Sequence, residues 1–539
     1  MMAWNRGSVA AALVCGTLLV VAAASMLGAC GGAAPAGFMS ADGPDSSIVD
    51  SSGGAGVDSA SQGGVLVAPE AGLADTSAPP SAPGPCPAGL TCNVACAGGA
   101  GTTITGKVYD PAGNNPLFDV AVYVPAKPLT PLPKGVPTGK DACSCGALFP
   151  SGAVTSTTTA VDGSFTLTNV PVGSAVPLVL QIGKWRRQID VPVKGCQDNP
   201  LPDKSLAFLG TIPAGDTLDS IPDIAVSTGS ADTLECLLLR IGLPTTEYVA
   251  GAAAGGHVHV FSGGSPQTST PPAGATGAGA AENPPMTGAP ASWTNLWDKV
   301  DDLMPYDILL LSCEGGETYN SNPPVLEAYL NAGGRAFASH YHYAWFAGSV
   351  EGDNTVPPPP SDWGLNLAAW DQGAGSPAKG YAQIVQTLNG SSKPFPKGVA
   401  LAQWLGDVNA LGVEGAPAGE IPIFEERGNA GVTNKAQAWL VDGPTSDYLS
   451  FDTPVNAPPL PDGGPPSYCG RAVYAGVHVD GDTNAASSAD KNPPPNGCAG
   501  GPLSPQEKAL EFMLFDLSDC VLPDTVAPPV DAGLPPPPK

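Results

Sequence analysis

Tyr306-Asp307-Ile308-Leu309-Leu310-Leu311-Ser312-Cys313-Glu314-Gly315-Gly316-Glu317 carries an apolar run without a polar break and then stops in a paired-glycine turn. A short unbroken apolar run bounded by a turn marks a strand covered on both faces. The next segment, Pro324 to Asn331, has helical patterning and leads through Gly333-Gly334 into a second strand, Arg335 to Ser339, that ends in His340-Tyr341-His342. Strand, helix and strand joined by glycine turns is the pattern of an α/β unit with a parallel sheet. Ligands of such sheets sit beyond the carboxyl ends of the strands, which here means Cys313, Gly315, Gly316, His340, Tyr341 and His342.

The same domain extends in both directions. Upstream, Ser230 can cap a helix whose start Asp232 favours and whose apolar face is Leu234, Leu237, Leu238 and Ile241, before Gly242 ends it. A strand His257 to Phe261 follows, with His257 and His259 on one face as core-edge residues. A Gly/Pro/Ala-rich insertion then runs to about Pro290, ahead of a helix from about Trp293 to Leu303. Downstream, residues 346–466 read as an elaboration of the sheet, with a helix near Lys397 to Leu411 and strands near Ala438 to Val441 and Tyr448 to Thr453. The domain closes with the strand Gly470 to Val479, which carries His478 and is followed by Asp480, and with a helix from Ser504 to Leu517. Ser504 with Glu507 forms a capping box, and Pro505 suits the first helical position.

Between Thr102 and Ser227 the pattern is instead short alternating strands: Thr103 to Tyr109, Val120 to Val124, Ser164 to Leu167, Leu178 to Ile182, Trp185 to Val191 and Ile221 to Val226. That is an all-β unit, in which Trp185-Arg186-Arg187 reads as a surface cation stripe. The fold class is therefore multidomain: an all-β sandwich of residues 101–228, an α/β parallel-sheet domain of 229–523 with insertions at about 263–290 and 346–466, and a disordered N-terminal linker. The linker spans residues 30–100 and is Ala, Gly, Ser, Pro and Asp with almost no aromatics up to about Pro85, too little apolar surface to offset chain entropy. Asp524 to Lys539 is a disordered Pro-rich tail.

At the start of the chain a short polar segment ends at Arg6, and an apolar run from Val9 to Ala24 is too short for a stable span and reads as a secretory signal, residues 1–29. With 49 acidic and 22 basic residues the formal net charge is -27, which repels a phosphate backbone and excludes nucleic acid as a partner. Of the 13 cysteines, Cys15 falls in the signal, and in an oxidising envelope most of the others pair. Candidates are Cys143, Cys145, Cys196, Cys236, Cys469, Cys498 and Cys520, with Cys143 or Cys145 as partners for Cys196. The Cys86, Cys92, Cys96 cluster also reads as disulfide-bonded.

Three resemblances add to this reading. Leu27-Gly28-Ala29-Cys30 resembles the lipobox of bacterial lipoproteins, which implies lipidation of Cys30 and attachment to a membrane through that lipid; Gly31 is similar to the pattern of lipoproteins sent to the outer membrane of a Gram-negative cell envelope. Ile104-Thr-Gly-Lys-Val-Tyr-Asp-Pro111, Pro116 to Val124, Asp162-Gly-Ser-Phe165 and Leu167-Thr-Asn-Val-Pro-Val-Gly173 together resemble the carboxypeptidase regulatory-like domain, a transthyretin-like (Ig-type) β-sandwich, and imply a non-catalytic stalk or binding module. Tyr306 to Glu317, the helix, Gly333 to His342 and Val477-His478-Val479-Asp480 resemble the class I glutamine amidotransferase-like fold, a flavodoxin-like α/β layer. The resemblance matches Gly315 and Gly316 to an oxyanion loop and His478 with Asp480 to a late His-x-acid pair. It places His340 where the family has its nucleophilic cysteine, and imidazole is a poor replacement for a thiolate, so glutaminase activity is not expected.

Three readings of the strand-end residues stand side by side. His340 and His342 can be half-buried polar residues on a strand end. They can line a pocket for a carbohydrate, peptide or protein ligand with Tyr341, Tyr343 and Trp345. His340, His342 and His478 can hold a divalent metal; no other cofactor is indicated. Cys313 is either bridged, to Cys236 or Cys469, or is a reactive thiol with His340 or His478 as its base. The sequence therefore favours a non-catalytic binding module on a tether, with a metal-dependent or Cys/His-dependent hydrolase as the alternative.

Overall fold

Alternation of side chains across a pleat explains the centre of the protein, because successive residues of one strand serve two different cores. In a computed structural model, Ile308 and Leu310 lie in one apolar cluster and Leu309 and Leu311 in another. The described residues are 86–99, 101–139, 142–229, 231–263, 291–317, 321–350, 352, 356–371, 373, 378–460, 466–478 and 502–527. The signal segment, Cys30, the linker to residue 85, Ser230, the insertion 264–290, Asp480, Cys498 and the tail from residue 528 lie outside them.

The chain first builds two four-stranded sheets. Its strands are β1 (Thr103–Tyr109), β2 (Ala121–Pro125), β3 (Ala153–Thr158), β4 (Ser164–Leu167), β5 (Gly173–Ile182), β6 (Trp185–Val193), β7 (Asp198–Pro200) and β8 (Leu206–Ala207). One sheet runs β3-β2-β5-β6; the other runs β4-β1-β7, with β8 also on β1. Leu90 packs on their core, Thr91 bridges Val172, and Cys96 is bonded to Cys196. Residues 86–99 thus belong to the folded body and not to the linker, because two disulfides hold a segment that composition alone leaves free.

The remaining strands are β9 (Ile224–Thr228), β10 (Tyr248–Ala250), β11 (Val258–Ser262), β12 (Ala291–Ser292), β13 (Ile308–Leu311), β14 (Arg335–Ser339), β15 (Ala368–Trp370), β16 (Ala378–Ile384), β17 (Glu420–Glu426), β18 (Ala430–Thr433), β19 (Gln437–Asp442), β20 (Thr445–Thr453) and β21 (Gly470–Ala475). Six helices accompany them among the described residues: α1 (Leu234–Arg240), α2 (Val300–Leu303), α3 (Pro323–Asn331), α4 (Ala344–Ala347), α5 (Pro396–Asp407) and α6 (Pro505–Ser518). The protein is accordingly β-rich, with several sheets and few helices.

The large sheet runs β10-β11-β9-β13-β14-β21-β20-β19-β16-β17, and β12 pairs with β11. From β10 to β21 every pairing is parallel; from β21 to β17 every pairing is antiparallel. An antiparallel bridge between Glu426 and Val477 then brings the end of β17 back to the chain leaving β21. Ile224 to Thr228 sits between β11 and β13, whereas its alternating pattern alone groups it with the short strands upstream. The change between sheet systems therefore falls before Ile224. The helix expected from Trp293 is reduced to a 3-10 turn at Trp293–Asn295 and the short α2, and the helix near Lys397 ends at Asp407. The capping box at α6 forms as expected: the Ser504 hydroxyl accepts from the Glu507 N–H, and the Glu507 carboxylate accepts from the Ser504 N–H.

The small and large sheets share one core. Trp185, at the start of β6, packs at a tilt against Phe515 of α6 with ring centroids 5.4 Å apart, and the turn at Gly183 docks against the end of α6. Gly183 has φ 55, and a Cβ there would lie 1.8 Å from the Ser518 carbonyl oxygen, so both the turn and the approach require glycine. Arg186 is buried and donates to the carbonyls of Leu218 and Thr130, which corrects its reading as part of a surface cation stripe. The buried Lys184 ammonium contacts Asp307 at 2.5 Å across the junction. Two disulfides, Cys143–Cys469 and Cys145–Cys520, cross it as well, so Cys196 pairs with Cys96 rather than with either of them.

Candidate functional site

Three strands of the parallel half end side by side, and the residues that follow them meet. Cys313 lies two positions past β13, His340 directly follows β14, and His478 stands three positions past β21. All three are buried. Cys313 is a free thiol, so neither Cys236 nor Cys469 bridges it; both are disulfide-bonded elsewhere.

The sequence holds these groups in place through the backbone. Ala231 N–H donates to the Cys313 carbonyl at 3.0 Å, and Cys313 N–H donates to the Ser339 hydroxyl at 3.1 Å. His340 adopts φ 45, a left-handed conformation uncommon for any residue but glycine, at the turn from β14 into a 3-10 segment. Tyr474 of β21 donates its hydroxyl to the His340 carbonyl at 2.8 Å and fixes that turn. The strained position directs the imidazole toward its neighbours on both sides: Nδ1 is 3.1 Å from Cys313 Sγ and 2.8 Å from His478 Nε2.

His478 continues the chain of contacts. Its Nδ1 is 2.7 Å from Glu425 Oε2, and Arg427 pairs with the same carboxylate at 3.2 Å. Gln506 of α6 donates to the His478 carbonyl and accepts from Phe424 N–H, tying β17, β21 and α6 together. Nδ1 faces two groups of opposite demand, the Glu425 carboxylate that accepts a proton from it and Arg427 Nη2, a donor 2.9 Å away, while Nε2 faces His340. The Cys313 sulfur accepts from the Gly315 N–H at 3.4 Å and from the Tyr341 N–H. The Gly315 amide expected to serve an oxyanion is therefore turned toward the thiol.

Burial sets the charge state of the cluster. It pushes the Cys313 thiol up to about 12, against the opposing backbone donors. It lowers His340 well below the usual imidazole range, with His478 and Arg427 adding to the effect, and it lowers His478 likewise beside Arg427. Desolvation disfavours each charged form, so the three groups rest neutral.

His342 does not join them. Its Nε2 lies 2.7 Å from the Ser312 carbonyl and its Nδ1 accepts from Trp345 at 3.0 Å; burial lowers it to about 4. Residues two apart share a face only on a continuing strand, and β14 has already turned at His340. Tyr343 and Trp345 are also buried, Tyr343 donating to Glu317 at 2.6 Å, so of the aromatic residues proposed for stacking only Tyr341 stays partly exposed beside His340, with ring centroids 4.0 Å apart. His257 and His259 lie at β11, two strands from β13 in the sheet, bound to Glu247 and the Gly251 carbonyl.

Sequence reasoning missed Glu425 and Arg427. The signal lay in Glu420-Ile-Pro-Ile-Phe-Glu-Glu-Arg427, an alternating strand ending in charge, but Pro422 and a Pro/Gly-rich context obscured it.

Comparison with known proteins leaves the chain without a family. No family model matches it, and no curated protein does. Among solved structures, a cold-adapted beta-galactosidase of Rahnella sp. R3 is similar at 12% identity and a TM-score of 0.20, covering 48% of this chain and 29% of that one. A likeness of that degree assigns neither fold nor activity.

Proposed function

We propose that this is an exported, lipid-anchored envelope protein, held to the outer membrane through Cys30, with a transthyretin-like sandwich set against an amidotransferase-like α/β sheet whose strand-end centre hydrolyses a small ligand or peptide. The observation that carries the hydrolase reading is the contact chain Cys313–His340–His478–Glu425, with steps of 3.1, 2.8 and 2.7 Å. An imidazole held between a carboxylate and a guanidinium and set beside a second imidazole and a thiol can take a proton from an attacking group and return it to a leaving group. No helix of the described residues is long and apolar enough to cross a membrane.

The test is a screen of chromogenic esters, amides and glycosides with the full chain. Turnover that falls at least about 100-fold in His478→Gln, equivalent to about 2.7 kcal/mol, supports the reading; turnover unchanged by that substitution and by Cys313→Ser refutes it. The complete burial of Cys313 favours a second reading, a non-catalytic binding module, and saturable ligand binding without turnover would establish that one. Metabolic labelling with palmitate, abolished by Cys30→Ser, tests the anchor.

A further inference from the structure

One ligand atom each of Cys313, His340 and His478 lies within 4.8 Å of the other two, behind three adjacent strand ends, with His340 Nδ1 against both Cys313 Sγ and His478 Nε2. A 2.8 Å approach of two ring nitrogens needs something between them, either a proton or a cation. We propose that Cys313, His340 and His478 bind one divalent metal ion of the zinc class, leaving a fourth position for water or a ligand. The proposal deepens the hydrolase reading by naming its cofactor, and rests on that reading only for what the metal would do.

The donor set selects the metal. One thiolate and two imidazoles suit zinc and its substitute cobalt, and not the oxygen-seeking magnesium or calcium. Tetrahedral zinc, with bonds of about 2.3 Å to sulfur and about 2.0 to 2.1 Å to nitrogen, separates sulfur from nitrogen by about 3.6 Å and nitrogen from nitrogen by about 3.3 Å. The present separations of 3.1 and 2.8 Å ask the rings to part slightly. The strained His340 backbone puts Nδ1 where a ligand atom must be, which gives the unusual φ a purpose.

The surroundings are those of a ligand set. Glu425 on the far nitrogen of His478 is the carboxylate–imidazole contact that orients metal-bound imidazoles, with Arg427 2.9 Å from the same nitrogen. Two backbone N–H groups on the Cys313 sulfur suit a thiolate. A doubly charged ion would face the Cys313 thiolate, with the Glu425–Arg427 pair and the buried Asp232, whose field reaches Cys313, around it. Binding transfers the Cys313 S–H proton to solvent as the S–metal bond forms. The affinity should therefore rise about tenfold per pH unit below the thiol's own titration.

The experiment is cobalt titration of the chelator-stripped full chain in mild detergent, with folding checked by circular dichroism. The expected result is one equivalent bound at micromolar affinity or tighter, with tetrahedral visible bands and a near-ultraviolet sulfur-to-cobalt band. Cys313→Ser should remove the sulfur band, and His478→Gln should weaken binding at least tenfold. Folded wild-type chain that binds no cobalt or zinc at 100 micromolar, or a sulfur band that survives Cys313→Ser, overturns the proposal. Metal bound without any turnover sinks the hydrolase reading alone and leaves the site standing; full turnover of metal-free chain sinks the metal and leaves the hydrolase.

Discussion

Replacing Glu425 by Gln isolates what the buried charge beside His478 does. The carboxylate is 6% exposed and its partner Arg427 8%, and the substitution keeps the shape while removing the negative charge. Arg427 then has no anion among the described contacts, and its Nε already lacks a partner. Breaking a buried pair from one side costs about 3–5 kcal/mol, because the surviving charge stays desolvated. The side-chain amide oxygen introduced by Glu425→Gln can still accept from His478 Nδ1, so little of that cost comes from the imidazole contact itself. Adding Arg427→Met removes the stranded cation and should recover most of the loss, leaving the double variant within about 1 kcal/mol of wild type. Urea unfolding at pH 7, followed by tryptophan fluorescence, measures Glu425→Gln, Arg427→Met and the double variant. A Glu425→Gln cost below about 1 kcal/mol, or single costs that simply add in the double variant, would refute the claim that charge compensation holds this corner together.

Burial raises Glu235 to about 8, Asp524 to about 7 and Asp519 to about 6. A carboxyl raised in the folded state stabilises fully below its unfolded value and loses that contribution as pH climbs through the folded one. The depressed imidazoles of His340, His342 and His478 act the other way, but only below about pH 6.5. Stability should therefore fall from pH 6.5 to 8.5, less steeply in Glu235→Gln, and thermal melts showing a flat or rising limb would contradict this. Lys184→Met strands Asp307 at the junction of the sheets and should cost about 3–5 kcal/mol, with Lys184→Met/Asp307→Asn milder than the single variant; equal costs in urea melts would count against the pairing. Cys96→Ala/Cys196→Ala opens a 100-residue separation and should cost about 2–5 kcal/mol, and unchanged denaturation with and without reductant would refute it. Iodoacetamide should add to Cys313 only after denaturation, and labelling of the native chain, mapped by peptide mass, would contradict its burial.

Much of the large sheet was legible from local pattern. Ile308 to Leu311 announced itself as a strand buried on both faces and Arg335 to Ser339 as the strand that follows it, and the Ser504–Glu507 box placed the start of α6, because period, caps and glycine turns act within a few residues. The preference of cysteines for pairing in an oxidising compartment was legible too. Which cysteines meet was not: Cys143 finds Cys469 across 326 residues and Cys145 finds Cys520 across 375, distances over which no local pattern carries information. The same holds for the site. The sequence by itself put Cys313, His340 and His478 at strand ends, whereas the tertiary structure turned His342 away, delivered Glu425 and Arg427 through the return of β17 to β21, and buried all of them deeply enough to keep thiol and imidazoles neutral. Periodicity fixes which face a side chain leaves from; strand order and packing decide what it meets there and how much water remains to solvate it.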